Sequence, residues 1–301
     1  MISSFTSVKF TNHYYPIVLL KGMLMGIADL VPGVSGGTIA LITGVYKDLI
    51  SALNNISLKN IFNDLLKNFK SNKFDFLSVL GLGIILSIIL FSKLILFLLE
   101  NYNNQISSFF FGLIICSVYV LLKKVKPIKI LDIILLLFSS FIIYQLLKIN
   151  AFEKEIDITY IFMCGFLCSS AMILPGISGS YILLILGAYQ FMLKKLNTVF
   201  LNDSDSHLYI IAFVLGAISG ILIFSRVIKW LFKNFENKTL IIMIGFILGS
   251  ITKIIPYNNK DQEIIDVYDF FISDISLIFW AFLGFSVIII LNTISKKNET
   301  Q

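Results

Sequence analysis

The 301 residues are 57% hydrophobic and only 14% charged, with a mean hydropathy of +0.90, where an ordinary soluble domain is about 25% charged. That composition excludes a water-soluble globule, a disordered chain, a disulfide-stapled secreted module and a nucleic-acid binder, whose basic patch needs a soluble surface. An all-α polytopic membrane protein remains, and the net charge of +6 then reports topology rather than a polyanion site.

In chain order, residues 1–16 are polar and aromatic. They show no short apolar core followed by a cleavage site, so the first hydrophobic segment is expected to belong to the mature protein. An apolar stretch over 17–53 is broken by Pro32, Gly33, Ser35, Gly36 and Gly37. Apolar runs of about 20 residues, the length that spans a bilayer, are predicted at 77–99, 106–122 and 128–147. A second broken stretch, 160–193, is interrupted by Pro175, Gly176, Ser178, Gly179 and Ser180, and spans are predicted at 208–230, 240–256 and 275–294. Each broken stretch reads as a pair of half-length helices. Cys116, Cys164 and Cys168 all lie within apolar runs and are expected to face lipid or pack; the 164/168 pair has no redox or zinc-knuckle spacing.

The two breaks superpose at an offset of 143, pairing Gly22 with Gly165, Pro32 with Pro175, Ser35 with Ser178, Gly36 with Gly179, Ile39 with Ile182, Gly44 with Gly187 and Tyr46 with Tyr189. An offset of 133 then pairs Leu82-Gly83 with Leu215-Gly216, Phe91-Ser92-Lys93 with Phe224-Ser225-Arg226, and Gly112 with Gly245. The chain is therefore expected to be a duplication, 1–150 and 151–301, each half one broken element followed by three spans.

Lysines decide between re-entrant and crossing elements. If both broken stretches are hairpins that return to the side they entered, and the N-terminus is cytoplasmic, the inside segments 1–16, 47–75, 123–129, 229–238 and 296–301 hold fifteen lysines. The outside segments hold six. Full crossings would put the lysine-rich 47–75 and 123–129 opposite the N-terminus, against the positive-inside bias. One return plus three crossings is odd, so the second half is expected to be inverted, with both termini cytoplasmic and the hairpin tips converging near the midplane.

A Pro-Gly-x-Ser-Gly turn at membrane depth leaves backbone amides that hydrocarbon penalises by several kcal/mol each. With half-helices expected to begin near Thr38 and Tyr181, the tip segments Ser35, Gly36, Gly37, Thr38 and Ser178, Gly179, Ser180, Tyr181 offer hydroxyls and N–H groups to an anion, most naturally a phosphate. The bland alternative is that Pro and Gly only let helices kink and pack. Lys93 and Arg226 share one repeat position; each serves an anionic headgroup or snorkels to the interface. Asp29, matched by Met172 in the second half, is a candidate proton-coupling carboxylate or a partner for Lys21 two turns earlier. Tyr46 and Tyr189 fit an interfacial belt better than a cavity gate. His13 and His207 sit in polar flanks, and neither a metal site, a cofactor site nor a catalytic constellation is evident.

The segments Gly26-Ile27-Ala28-Asp29-Leu30-Val31-Pro32-Gly33-Val34-Ser35-Gly36-Gly37-Thr38 and Met172-Ile173-Leu174-Pro175-Gly176-Ile177-Ser178-Gly179-Ser180 resemble those of the PopT-type polyprenyl-phosphate translocases, a family long catalogued only as a domain of unknown function. The similarity runs over nearly the whole chain and includes the Phe-Ser-Lys and Phe-Ser-Arg repeats; the chain has the family's minimal length, without an appended soluble domain. The resemblance implies a bacterial cytoplasmic-membrane protein that returns undecaprenyl phosphate, the lipid carrier of envelope polymers, from the outer to the inner leaflet. Its partners would be that lipid, the bilayer and a coupling ion, H⁺ or Na⁺. The competing expectations are an ion-coupled transporter of a small soluble anion, a membrane enzyme acting on lipid phosphates, and a scaffold subunit. Oligomeric state and chain-length preference are not legible.

Overall fold

A computed structural model describes residues 14–31, 34–56, 72–125, 127–149, 156–198, 204–253 and 275–299. Among them are eleven α-helices: α1 Tyr14–Asp29, α2 Gly36–Ile42, α3 Tyr46–Asn54, α4 Asn72–Asn101, α5 Asn103–Leu122, α6 Ile130–Leu146, α7 Ile158–Ile173, α8 Gly179–Ile185, α9 Tyr189–Thr198, α10 Ser204–Gly249 and α11 Ser276–Glu299. Helices α4, α5, α10 and α11 are long and apolar enough to cross a membrane, and α6 and α7 are shorter apolar helices. Large apolar side chains such as Leu82, Ile89, Leu137 and Phe282 are exposed. That is the arrangement of helices whose solvent is hydrocarbon. Among the described residues no buried side-chain N or O atom lacks a partner. Serines and threonines inside helices bond back to carbonyls three or four residues earlier, as Ser117 does to Leu113 and Ser139 to Leu135.

The chain forms two compact units, residues 1–126 with 251–301, and residues 127–250. In the first, α1 lies beside α4 and α5 beside α11. Contacts advance in the same direction along both chains. The Tyr15 hydroxyl reaches Asp75 at 3.4 Å, Gly22 abuts the Leu80 carbonyl, and Gly26 abuts Ile84 and Ser87. Helices α1 and α4 are therefore parallel. So are α5 and α11, where Ser108 donates to the Leu277 carbonyl, Gly112 abuts Ala281 and Gly284 abuts Phe109. In the second unit α7 and α10 are parallel, through Gly165 on Phe213, Gly216 on Phe162 and Gly220 on Phe166 and Ser169. Helix α6 parallels the end of α10, through Gly245 on Leu136 and Ser139, and Gly249 on Ser140. Where apolar burial does not distinguish helix from lipid, small residues that let backbones touch supply the packing energy.

The spans expected at 208–230 and 240–256 fall in two helical arms of α10, which meet at a kink at Phe235, whose φ of −140° and ψ of 47° are not helical. The polar run Lys233-Asn234 and Glu236-Asn237-Lys238 surrounds the kink, so a tight polar corner joins the two arms. The end of the expected 240–256 span lies outside the described residues.

Candidate functional site

Each broken stretch is a hairpin whose second arm starts in two short helices. In the first, α1 gives way to tight turns, Leu30 N–H to Ile27 O and Val31 N–H to Ala28 O; Pro32 and Gly33 lie outside the described residues. Ser35 caps α2 with extended backbone and accepts from Gly37 N–H at 3.2 Å. Helix α2 begins at Gly36 rather than near Thr38, and every residue of it is buried. Asp29 is exposed, and its Oδ1 accepts from Gly36 N–H at 2.6 Å. A methyl group at Gly36 would meet that carboxylate. At the far end of α2, Lys21 Nζ donates to the Thr43 carbonyl at 2.7 Å. Lys21 and Asp29 thus each have a partner on α2. The contacts 21 to 43 and 29 to 36 show α2 running antiparallel to α1.

The second hairpin has the same frame in different chemistry. Pro175 is buried, and Gly176 has φ +82° with its missing Cβ pointed at the Phe246 carbonyl. Ser178 is the N-cap of α8, which begins at Gly179 rather than near Tyr181 and receives no side-chain cap bond. Instead Ser178 and the exposed Ser180 share a hydroxyl–hydroxyl bond of 2.8 Å. The place that Asp29 fills is taken here by Met172, packed with Cys168 against Gly179. The Tyr160 hydroxyl donates to the Leu186 carbonyl at 2.6 Å, the repeat equivalent of Thr43. Tyr181 extends from the tip and donates to the Leu147 carbonyl at 2.6 Å. Ile177 is buried among Ile143, Ala171, Leu174 and Phe246, so one side of this bend is apolar and its serines define the other.

Gly44 (φ +80°) and Gly187 (φ +67°) follow the ends of α2 and α8. In the second hairpin Gly187 N–H bonds Leu184 O and Ala188 N–H bonds Leu183 O, the Schellman pattern that only a left-handed residue completes. The matched glycines of the sequence are stop signals that separate α2 from α3 and α8 from α9. Tyr46 is 1% exposed and belongs to the core, not to an interfacial belt; Tyr189 packs on the cluster of Ile161, Ala188 and Met192. The three cysteines are buried and form no disulfide.

Lys93 on α4 and Arg226 on α10 are exposed. The register of α1 on α4 pairs 15 with 75 and 26 with about 86, which puts Lys93 about four residues beyond the level of Asp29, the last residue of α1. The register of α7 on α10 puts Arg226 level with Leu174 and Pro175. Each cation is six residues past the crossing positions Ser87 and Gly220, hence about 120° around its helix from them. Lys21 and Tyr160 were not legible as a pair, because they stand at different repeat positions and only their acceptors correspond.

These features define a polytopic membrane protein, helical throughout its described secondary structure, with two hairpins whose returning helices each start at a Ser-Gly pair beside a parallel long helix. The chain belongs to the VCA0040-like, undecaprenyl phosphate translocase-like family, whose model matches residues 25–272. A protein of Vibrio cholerae serotype O1 named polyprenyl-phosphate transporter is 36% identical over 252 residues, 81% of this chain and 78% of that protein. A Staphylococcus aureus protein of the same name is 30% identical over 298 residues, 94% of this chain and 98% of that protein. No solved structure matches the chain.

Proposed function

We propose that this protein moves a polyprenyl phosphate across the bacterial cytoplasmic membrane, returning undecaprenyl phosphate from the outer to the cytoplasmic leaflet by alternating access, as a transporter and not an enzyme. The observation that carries the reading is family membership, together with two relatives named polyprenyl-phosphate transporter that match along most of their length. The hairpins support it. Helix α1 parallels α4 while α2 runs back along α1, and α7, α8 and α10 repeat the relation. Helix α2 runs back along α1 to the level of Lys21 and α8 back along α7 to the level of Tyr160, as the returning arm of a re-entrant element would. With three crossings after each return, the halves 1–150 and 151–301 are related by inversion, and the lysine distribution puts both termini in the cytoplasm.

In this reading the headgroup phosphate is held by the hydroxyls and N–H groups of Ser35, Gly36, Gly37 and Thr38 at one tip and Ser178, Gly179, Ser180 and Tyr181 at the other. Lys93 and Arg226 supply positive charge to the headgroup, and Asp29 is the site of coupling to a proton. The polyprenyl tail needs no protein and stays in hydrocarbon. The test is flux of undecaprenyl phosphate in reconstituted vesicles, with its diphosphate and inorganic phosphate as competitors. Ser178→Ala and Arg226→Ala are expected to lower flux about tenfold, the weight of one charge-assisted hydrogen bond, with membrane insertion intact. Wild-type flux in both variants removes these residues from the site. Competition by inorganic phosphate alone turns the reading to a soluble-anion transporter.

A further inference from the structure

The two hairpins share a frame but not a chemistry. Helix α2, seven residues long, is held at both ends by ionisable side chains of α1: the Asp29 carboxylate on Gly36 N–H and the Lys21 ammonium on the Thr43 carbonyl. Lys21 and Asp29 are eight residues apart, about 12 Å along α1, which matches the roughly 10 Å length of α2. The anion meets the N-terminal end of α2 and the cation its C-terminal end, the favourable sense for the helix dipole at both ends. In the second hairpin the same two places hold the Met172 side chain against Gly179 and the Tyr160 phenol on Leu186 O. Neither carries a charge in the ordinary pH range.

We propose that Lys21 and Asp29 are positioning residues that clamp α2 ionically, so that the first hairpin opens and closes with the charge state of Asp29 while the second is held by uncharged groups. The inference rests on the transport reading and adds a division of labour to it. A protonated carboxyl is a poorer acceptor than a carboxylate and brings no charge to the helix end, so the bond to Gly36 N–H weakens when Asp29 takes up a proton. Gly36 is required for the device, because a methyl group there collides with the Asp29 carboxylate. Among the described residues, the elements packed closely on α1 are α2 and α4. Helix α2 has no ionisable side chain. On α4, Asp75 is level with Tyr15 and bonded to it, far from the bend; Lys93 is about four residues beyond the level of Asp29, and Glu100 lies further on. Lys93 is thus the charge nearest in level to Asp29, and Lys21 is held at the opposite end of α2.

Two measurements test the clamp. In reconstituted vesicles, wild-type flux of undecaprenyl phosphate is expected to vary about tenfold between about pH 4 and pH 8, a range that spans the titration of a carboxylate, the factor being the equilibrium weight of one charge-assisted hydrogen bond. The D29N variant, isosteric and still able to accept from Gly36, is expected to vary less than about twofold, since it cannot titrate. K21M is expected to lower flux at every pH without flattening the profile. A D29N profile that overlays the wild type overturns the proposal. Independently of transport, hydrogen exchange of the segment 34–45 in the wild-type protein, corrected for intrinsic rates, is expected to quicken at low pH relative to high. The corresponding segment 177–188 is expected to show no such change, and equal behaviour of the two segments overturns the clamp even if no variant folds. Absence of flux in wild type with the exchange difference intact refutes the transport reading and leaves the clamp standing.

Discussion

The crossing of α1 on α4 depends on Gly22 and Gly83, and alanine at either should open it. A Cβ on Gly83 falls against the Leu19 carbonyl, and one on Gly22 against the Leu80 carbonyl. Both lie about an ångström inside ordinary contact, and both neighbours are backbone that cannot swing aside. The helices must separate, giving up close-packed dispersion along the crossing, and overpacking of this kind costs about 1–3 kcal/mol. Gly81, two residues away on the same helix, has nothing within 4 Å of its Cβ position. There alanine removes only the backbone entropy of glycine and is worth about 0.5–1 kcal/mol in favour of the helix. The assay is thermal unfolding in detergent, followed by the fraction of monodisperse protein. Gly22→Ala and Gly83→Ala should each lower the midpoint by several degrees, and Gly81→Ala should leave it unchanged or raise it. Because both clashes resist the same approach, the double variant should cost clearly less than the sum of the singles. Strict additivity, or a Gly83→Ala midpoint equal to that of Gly81→Ala, refutes the account of this crossing.

Gly176→Ala combines a φ of +82° with a clash on the Phe246 carbonyl and is expected to destabilise the second hairpin by about 2–4 kcal/mol, the strain of the left-handed region plus overpacking; a wild-type melting midpoint would contradict this. Tyr160→Phe and Tyr181→Phe each delete one phenolic donor, to Leu186 O and Leu147 O, and leave a carbonyl unpaired, at about 1–3 kcal/mol each. Protease sensitivity of the second hairpin in vesicles should rise in both variants and more in the double.

The sequence made the hairpins legible because Pro, Gly and Ser in an apolar run have few other uses, and because the breaks repeat at an offset of 143. It also displayed Gly22, Gly83, Gly165 and Gly216 as matched positions, yet not their purpose: a glycine in a string of letters does not say which carbonyl it admits. Gly26 with Ser87 and Ser169 with Gly220 show the difficulty well. The crossing is the same in both hairpins, but glycine and serine have traded helices, so a position-by-position match misses it. Tyr46 was misplaced because a tyrosine after an apolar run is equally suited to an interface and to a core with a hydroxyl partner. The capping of α2 by Asp29 was hidden for another reason. A carboxylate seven residues before a glycine becomes a cap only once the intervening bend folds one onto the other.

The membership of the two units also bears on how the chain assembles. The first unit needs α11, whose Ala281 and Gly284 pack on Gly112 and Phe109 of α5, yet more than 150 residues separate those helices. Helices α1 to α5 can insert and pack locally as they emerge, while α5 waits for its parallel partner until the last crossing is made. Exposed small-residue faces in lipid find partners readily, because any close-packed helix satisfies them. A chain lacking α11 would still hold the α1–α4 crossing and the whole of residues 127–250, but would present the Ser108–Gly112 face of α5 uncovered. Truncation before residue 276 is therefore expected to yield inserted protein that self-associates through α5, detectable as cross-linking at a cysteine placed at Phe109 and absent from the full chain; a monomeric truncation product would mean that α5 does not depend on α11 for its cover.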